Sequence, residues 1–172
     1  MLQSLNIAVL TVSDTRTDEN DFSGRSLQEA LLVAGHHLHE KTILKDDKYS
    51  IRAKLSEWIA DTDVQIVLIT GGTGFADRDI TPEAVKPLLD KEIPGFGEMF
   101  RYLSYTEIGS STIQSRALAG MANGTFVFCL PGSTGACKLA WEKLLKQQLD
   151  SRNKPCNIVD ILPNIRTTGK ST

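Results

Sequence analysis

The chain has 172 residues, with hydrophobic side chains at 41%, charged ones at 23% and a formal net charge of -2 from 19 basic and 21 acidic groups. That size and balance describe one domain with a sizeable apolar core. A charge so near neutral excludes a general attraction to nucleic acid or to an anionic membrane surface.

The opening "MLQSLNIAVLTVSD" has no basic leader and only a short apolar run, so no secretory signal is expected. No apolar stretch is long enough to cross a bilayer. Cys129, Cys137 and Cys156 form no CxxC pair. A cytoplasmic protein with reduced thiols is the expectation.

Leu5 to Val12 is short, apolar and rich in β-branched residues, and reads as a buried strand. After the polar loop "SDTRTDENDFSG", Leu27, Ala30, Leu31 and Ala34 trace one helical face that Gly35 ends. His37 to Leu44 reads as the second strand, and Ile51, Leu55, Trp58 and Ile59 as the next helical stripe. Val64 to Thr70 reads as a central strand running straight into Gly71. Thr81-Pro82-Glu83 has the form of a helix start, with Thr81 as N-cap and Pro82 first in the helix.

"PGFGEMFRYLS" suggests a turn and a helix, and "STIQSRALAGMA" a further helix stopped by Gly124. Thr125 to Leu130 reads as another buried strand, and Ala136, Leu139, Ala140 and Leu144 as the last long helix. No repeat or linker interrupts the pattern, so a single domain over residues 1–165 with a polar tail over 166–172 is expected. Trp58 and Trp141 suit either the core or an interface.

Strands alternating with helices predict an α/β fold with a parallel sheet covered on both faces. Ligands in such folds sit beyond the carboxyl ends of the strands. "KDD" after the second strand, "TGGTG" after the third and "PGSTG" after the last share that rim. Glycine turns bring backbone N–H groups close to an anion. Thr70 and Thr73 add hydroxyls, and "PGSTG" opens a helix.

Either loop alone is better explained as a tight turn, and two on one rim bring phosphate binding level with that reading. The P-loop lysine and the Rossmann spacing are both missing, which disfavours a nicotinamide dehydrogenase. Asp46, Asp47, Asp77 and Asp79 stand near these loops. A divalent cation resolves their repulsion with phosphate, because magnesium is commonly held by one or two carboxylates plus phosphate oxygens. Asp47 and Asp77 read better as caps, whereas Asp79 is harder to explain so, with Thr81 in place as N-cap.

His37 and His39 share a strand face but lack a third zinc ligand. Cys129 reads as a core thiol. Ser115 and Arg116 set a hydroxyl beside a guanidinium, which suits a phosphate or a polar heterocycle, but by spacing alone an ordinary helix-surface arginine is the better reading.

Taken together, "TGGTGFADRDITPEA", "EIPGFGEMFRYLSYTEIGSSTIQSRALAG" and "LPGSTGACKLAWE" resemble the MoaB/MogA family of molybdenum cofactor biosynthesis proteins. The likeness runs from "IAVLTVSD" through "NKPCNIVD". It implies a three-layer α/β/α sandwich with a mostly parallel sheet, and a trimer-based homo-oligomer, typically a hexamer of two stacked trimers. It further implies molybdopterin as ligand and, in the catalytic relatives, transfer of AMP from ATP and Mg²⁺ to the molybdopterin phosphate. The alternative is a non-catalytic molybdopterin-binding or carrier assembly in the same pathway, with other cofactor-biosynthesis proteins as partners.

On the resemblance, Asp79 matches the catalytic aspartate and Asp46 a second functional acid, the pair that would hold Mg²⁺. Thr70, Gly71, Gly72, Thr73 and Gly74 match the glycine loop at the ligand site. Ser115 and Arg116 match a segment beside the pterin, and Pro131, Gly132 and Ser133 the second loop.

Overall fold

The computed structural model describes residues 1–162, so the expected polar tail and the end of the expected domain lie outside the described residues. The strands are β1 (Asn6–Val12), β2 (His37–Leu44), β3 (Ile66–Thr70), β4 (Lys91–Glu92), β5 (Leu118–Ala122) and β6 (Thr125–Leu130). They form one six-stranded sheet in the order β2-β1-β3-β6-β5-β4. The helices are α1 (Phe22–Val33), α2 (Lys48–Ala60), α3 (Thr81–Val85), α4 (Pro94–Ile108), α5 (Thr134–Ala140) and α6 (Lys146–Gln148). A single π turn, Trp141–Leu145, joins α5 to α6.

Period-two alternation divides the core into two faces. Ile7 and Val9, Ile66 and Leu68, and Phe126 and Phe128 face one apolar cluster with Leu27 and Leu31 of α1, Phe100 of α4 and Leu139 beyond the α5 start. Their neighbours Ala8 and Leu10, Val67 and Ile69, and Val127 and Cys129 face a second cluster with Ile51, Leu55 and Trp58 of α2 and Ala84 and Val85 of α3. The result is the three-layer α/β/α sandwich. Trp58 and Trp141 are both core residues, at 1% and 3% exposure.

The sheet is mixed. β2, β1, β3 and β6 run parallel, while β5 is antiparallel to β6 and β4 to β5. The expected helix over "STIQSRALAGMA" is therefore corrected: a short 3₁₀ turn, Gly109–Gln114, is followed by strand β5. Asn123 and Gly124, both at positive φ, close a two-residue hairpin with Ala122 opposite Thr125. That Asn-Gly signal outweighs the helical propensity of alanine and leucine before it.

Candidate functional site

The chain leaves β1 for β2 on one side and later returns to β3 on the other, so the strand order reverses between β1 and β3. Loops leaving adjacent strands at such a point splay apart and open a crevice at their carboxyl ends. A cavity of about 470 Å³ lies there, lined by Ser13 to Arg16 after β1, Asp46 after β2, Gly71 to Gly74 after β3 and Pro131 to Ser133 after β6.

The two glycine loops form one surface. The Gly71 amide donates to the Leu130 carbonyl at 3.0 Å, and the Thr70 hydroxyl donates to the Pro131 carbonyl at 2.9 Å. A Cβ on Gly132 would lie 3.3 Å from the Gly71 Cα. Gly71 and Gly72 take φ of 105° and 66°, values that favour glycine. At Gly71 a side chain would also meet the Val12 carbonyl oxygen at 2.1 Å. Thr70 and Thr73 line the cavity but are buried, and the Thr70 hydroxyl braces the two loops against each other.

Three carboxylates converge on this surface. A Cβ on Gly72 would lie 3.1 Å from Asp46 Oδ1, and one on Gly74 would lie 2.6 Å from Asp79 Oδ2. The Asp46 amide donates to Asp14 Oδ1 at 3.1 Å. Burial first, then the neighbouring Asp14 carboxylate, push the Asp46 carboxyl above its ordinary range; Asp79 adds to this and Arg78 opposes it. That crowding is a demand for positive charge.

Among the described residues no group of three or more His, Cys, Asp or Glu is arranged to hold a metal unaided. The donor set suits a cation that arrives with phosphate oxygens, as magnesium does. Asp79 also accepts the Ala76 amide at 2.9 Å, which fixes its carboxylate in the loop.

The other acids behave differently. Asp47 caps α2, accepting the Ser50 amide at 2.6 Å. Asp77 is exposed and does not line the cavity. Thr81 is not an N-cap: Ile80 holds that position, and the Thr81 hydroxyl donates instead to the Gly71 carbonyl at 2.8 Å. Tying down the strained glycine turn takes precedence over capping a five-residue helix, and Asp79 is placed in the site by its neighbours rather than by exclusion from a cap. Cys129 is fully buried and its thiol is pushed up by that burial.

Ser115 lines the cavity. Arg116 lies in the extended approach to β5, not on a helix, and grips the first glycine loop from outside. Its Nε donates to the Gly74 carbonyl at 2.9 Å and its second terminal nitrogen to the Asp79 carbonyl at 2.7 Å. It also pairs with Glu83 and stacks over Phe75. Its donors are spent on protein.

A family model described as "Probable molybdopterin binding domain" matches residues 8–151. The chain is 56% identical over 151 residues to molybdenum cofactor biosynthesis protein B of Escherichia coli (strain K12), covering 88% of this chain and 89% of that one. It is 53% identical over 142 residues to the protein of that name from Bacillus subtilis (strain 168), covering 82% and 84%. A crystal structure of molybdenum cofactor biosynthesis protein B superposes with a TM-score of 0.83 at 49% identity, covering 86% of this chain and 92% of that one. The tungsten cofactor synthesizing protein MoaB from Pyrococcus furiosus gives 0.76 at 40% identity, covering 84% and 92%.

The chain belongs to the MoaB/MogA family.

In this MoaB/MogA chain, reading the motifs alone left out the loop after β1. Asp14 and Arg16 line the cavity, as does Arg78 of the first glycine loop. The signal for Asp14 was present: "VSD" follows a parallel strand as "TGG" does, and the carboxyl-end rule applies to both. Ser104 and Gln114 reach the cavity only because the α4 end folds over it, and no local pattern marks them.

Proposed function

We propose that this MoaB/MogA protein acts in molybdenum cofactor biosynthesis, binding molybdopterin in the switch-point cavity and transferring AMP from ATP to its terminal phosphate. The observation that carries the reading is the meeting of two glycine loops with Asp14, Asp46 and Asp79 in one cavity.

A terminal phosphate oxygen of molybdopterin attacks the α-phosphorus of ATP. The new P–O bond forms as the bond from that phosphorus to the bridging oxygen breaks, and pyrophosphate leaves with the electron pair. Asp79 and Asp46 would hold the magnesium ion accompanying ATP, which when bound would offset charge on the transferring group. Gly72 to Gly74 and Gly132 offer backbone close to phosphate oxygens, while Gly71 ties the two loops together. Thr70 and Thr81 hold those loops fixed, so little reorganisation is needed during transfer. A phosphate nucleophile is already ionised near neutral pH and needs no strong base.

A trimer-based homo-oligomer, exchange with other cofactor-biosynthesis proteins and a cytoplasmic location belong to the same reading. Met99, Tyr102, Tyr105 and Ile108 give α4 an exposed apolar face suited to assembly. No helix among the described residues is long and apolar enough to cross a membrane.

The test is to incubate the protein with molybdopterin, ATP and Mg²⁺ and follow adenylated product by mass spectrometry. Wild type forms it, and Asp79→Asn loses about 100-fold or more in turnover while keeping molybdopterin binding. Saturable molybdopterin binding without ATP-dependent product assigns the carrier role instead. Absence of saturable binding of either ligand overturns the whole reading.

A further inference from the structure

Two arginines flank the first glycine loop, and the structure gives them opposite tasks. Arg116, the one the motif singles out, has its guanidinium engaged by the Gly74 and Asp79 carbonyls, by Glu83 and by the Phe75 ring. A ligand could recruit it only by dismantling the loop. Arg78 is one residue before Asp79, is exposed, and lines the same cavity as Asp46, Asp79 and both glycine loops. Among the described residues it makes no hydrogen bond or ion pair, and its charge is felt at Asp46 across the cavity.

The remaining cavity arginine, Arg16, donates to the Asn20 carbonyl at 3.0 Å. The cavity thus holds three carboxylates and two guanidiniums, and Arg78 is the one whose donors are uncommitted. A P-loop places a lysine on its phosphates, and this chain has none at that position.

We propose that Arg78 is the cationic ligand-binding residue of this cavity, contacting phosphate oxygens of the bound substrate, while Arg116 serves only to position the loop. The inference rests on the reading of the cavity as a site for phosphorylated ligands. It fits the chemistry of a guanidinium, which forks onto two oxygens where an ammonium offers a point charge. It also supplies an anion contact independent of the metal: with Arg78 gone, three carboxylates would face an incoming phosphate with one partly engaged guanidinium to offset them.

The experiment measures binding of ATP with Mg²⁺, and separately of molybdopterin, by calorimetry at low and moderate salt. The proteins are wild type, Arg78→Gln, Arg78→Lys and, as a distant charge-matched control, Arg152→Gln. Arg78→Gln is expected to weaken at least one ligand by about 10- to 100-fold, the range of a lost charge-assisted hydrogen bond. It should also flatten the salt dependence and leave the thermal unfolding midpoint unchanged. Arg78→Lys should fall between, and Arg152→Gln should match wild type.

Loss with ATP alone places Arg78 on the nucleotide phosphates, loss with molybdopterin alone on the pterin phosphate, and either supports the proposal. Wild-type binding with Arg78→Gln within about 2-fold for both ligands overturns this inference and leaves the proposed function standing. Failure of wild type to bind either ligand overturns both. Should Arg78→Gln shift the unfolding midpoint, binding is read well below that midpoint, where the variant is folded: affinity within about 2-fold of wild type for both ligands assigns stability alone and overturns the proposal.

Discussion

Asp21 is a fully buried carboxylate at the start of α1, and every oxygen it presents is answered. It accepts from the Thr11 hydroxyl at 2.9 Å and the Gly24 amide at 3.0 Å, and Lys41 approaches at 2.8 Å. Burial pushes its carboxyl up, but Lys41, the Gly24 amide and the Thr11 hydroxyl together hold it below the ordinary 3.8. Replacing Lys41 with Met strands a buried charge, and urea unfolding should show a loss of about 3 kcal/mol or more. Asp46 is the opposite case, a carboxylate that its surroundings disfavour. Asp46→Asn relieves the repulsion and should raise the unfolding midpoint by about 1–2 °C, while weakening Mg²⁺-dependent ATP binding. A variant both less stable and fully binding would refute that view of the acid cluster.

Among elements, the two-residue hairpin between β5 and β6 is the most sensitive to chain chemistry. Asn123 and Gly124 have φ of 48° and 83°. Gly124→Ala should destabilise the protein by about 1 kcal/mol, read by chemical denaturation, since alanine at positive φ is strained. Gly71→Ala should cost more, because a methyl there meets the Val12 carbonyl at 2.1 Å and the adjoining loop must move. Its expected signature is loss of ligand binding together with a lower unfolding midpoint. Helix α2 is anchored differently: Glu40 of β2 accepts from Trp58 Nε1 and Lys54 Nζ, both at 2.9 Å. Although burial acts the other way, Lys54, Thr42 and Trp58 together bring the Glu40 carboxyl down to about 2, so this tie persists in mild acid.

For the whole molecule, stability should fall on acidification in two stages. His36 is buried, and its Nδ1 accepts the Leu5 amide at 3.3 Å. Burial holds its pKa below the ordinary 6.5, against an upward pull from Asp150. With the folded pKa depressed, its contribution is full above that ordinary value and is lost as pH falls through the folded one. Asp21 and Glu40, depressed from the carboxylate range, contribute above their ordinary values and fail at lower pH. Unfolding free energy measured from pH 8 to 3 should therefore decline first below about 6.5 and again below about 4. His36→Gln, which keeps an acceptor without titrating, should remove the first decline.

Much of this architecture was readable one segment at a time. Strands β1, β3 and β6 are runs of apolar residues with nowhere to go but between two layers, and α1 and α2 carry periodic stripes that match the buried set. The family motifs pointed to Asp46, Asp79 and both glycine loops, all of which line one cavity. Tertiary structure decided what local pattern cannot encode. Whether "RALAGMA" is helix or strand depended on β6 offering an edge to pair with. Whether Thr81 caps a helix or braces Gly71, and whether Arg116 sits on a helix surface or grips the glycine loop, depended on neighbours 10 and 42 positions away in the chain. A side chain's chemical potential is written in its own atoms, but its partners are chosen by the folding of the whole.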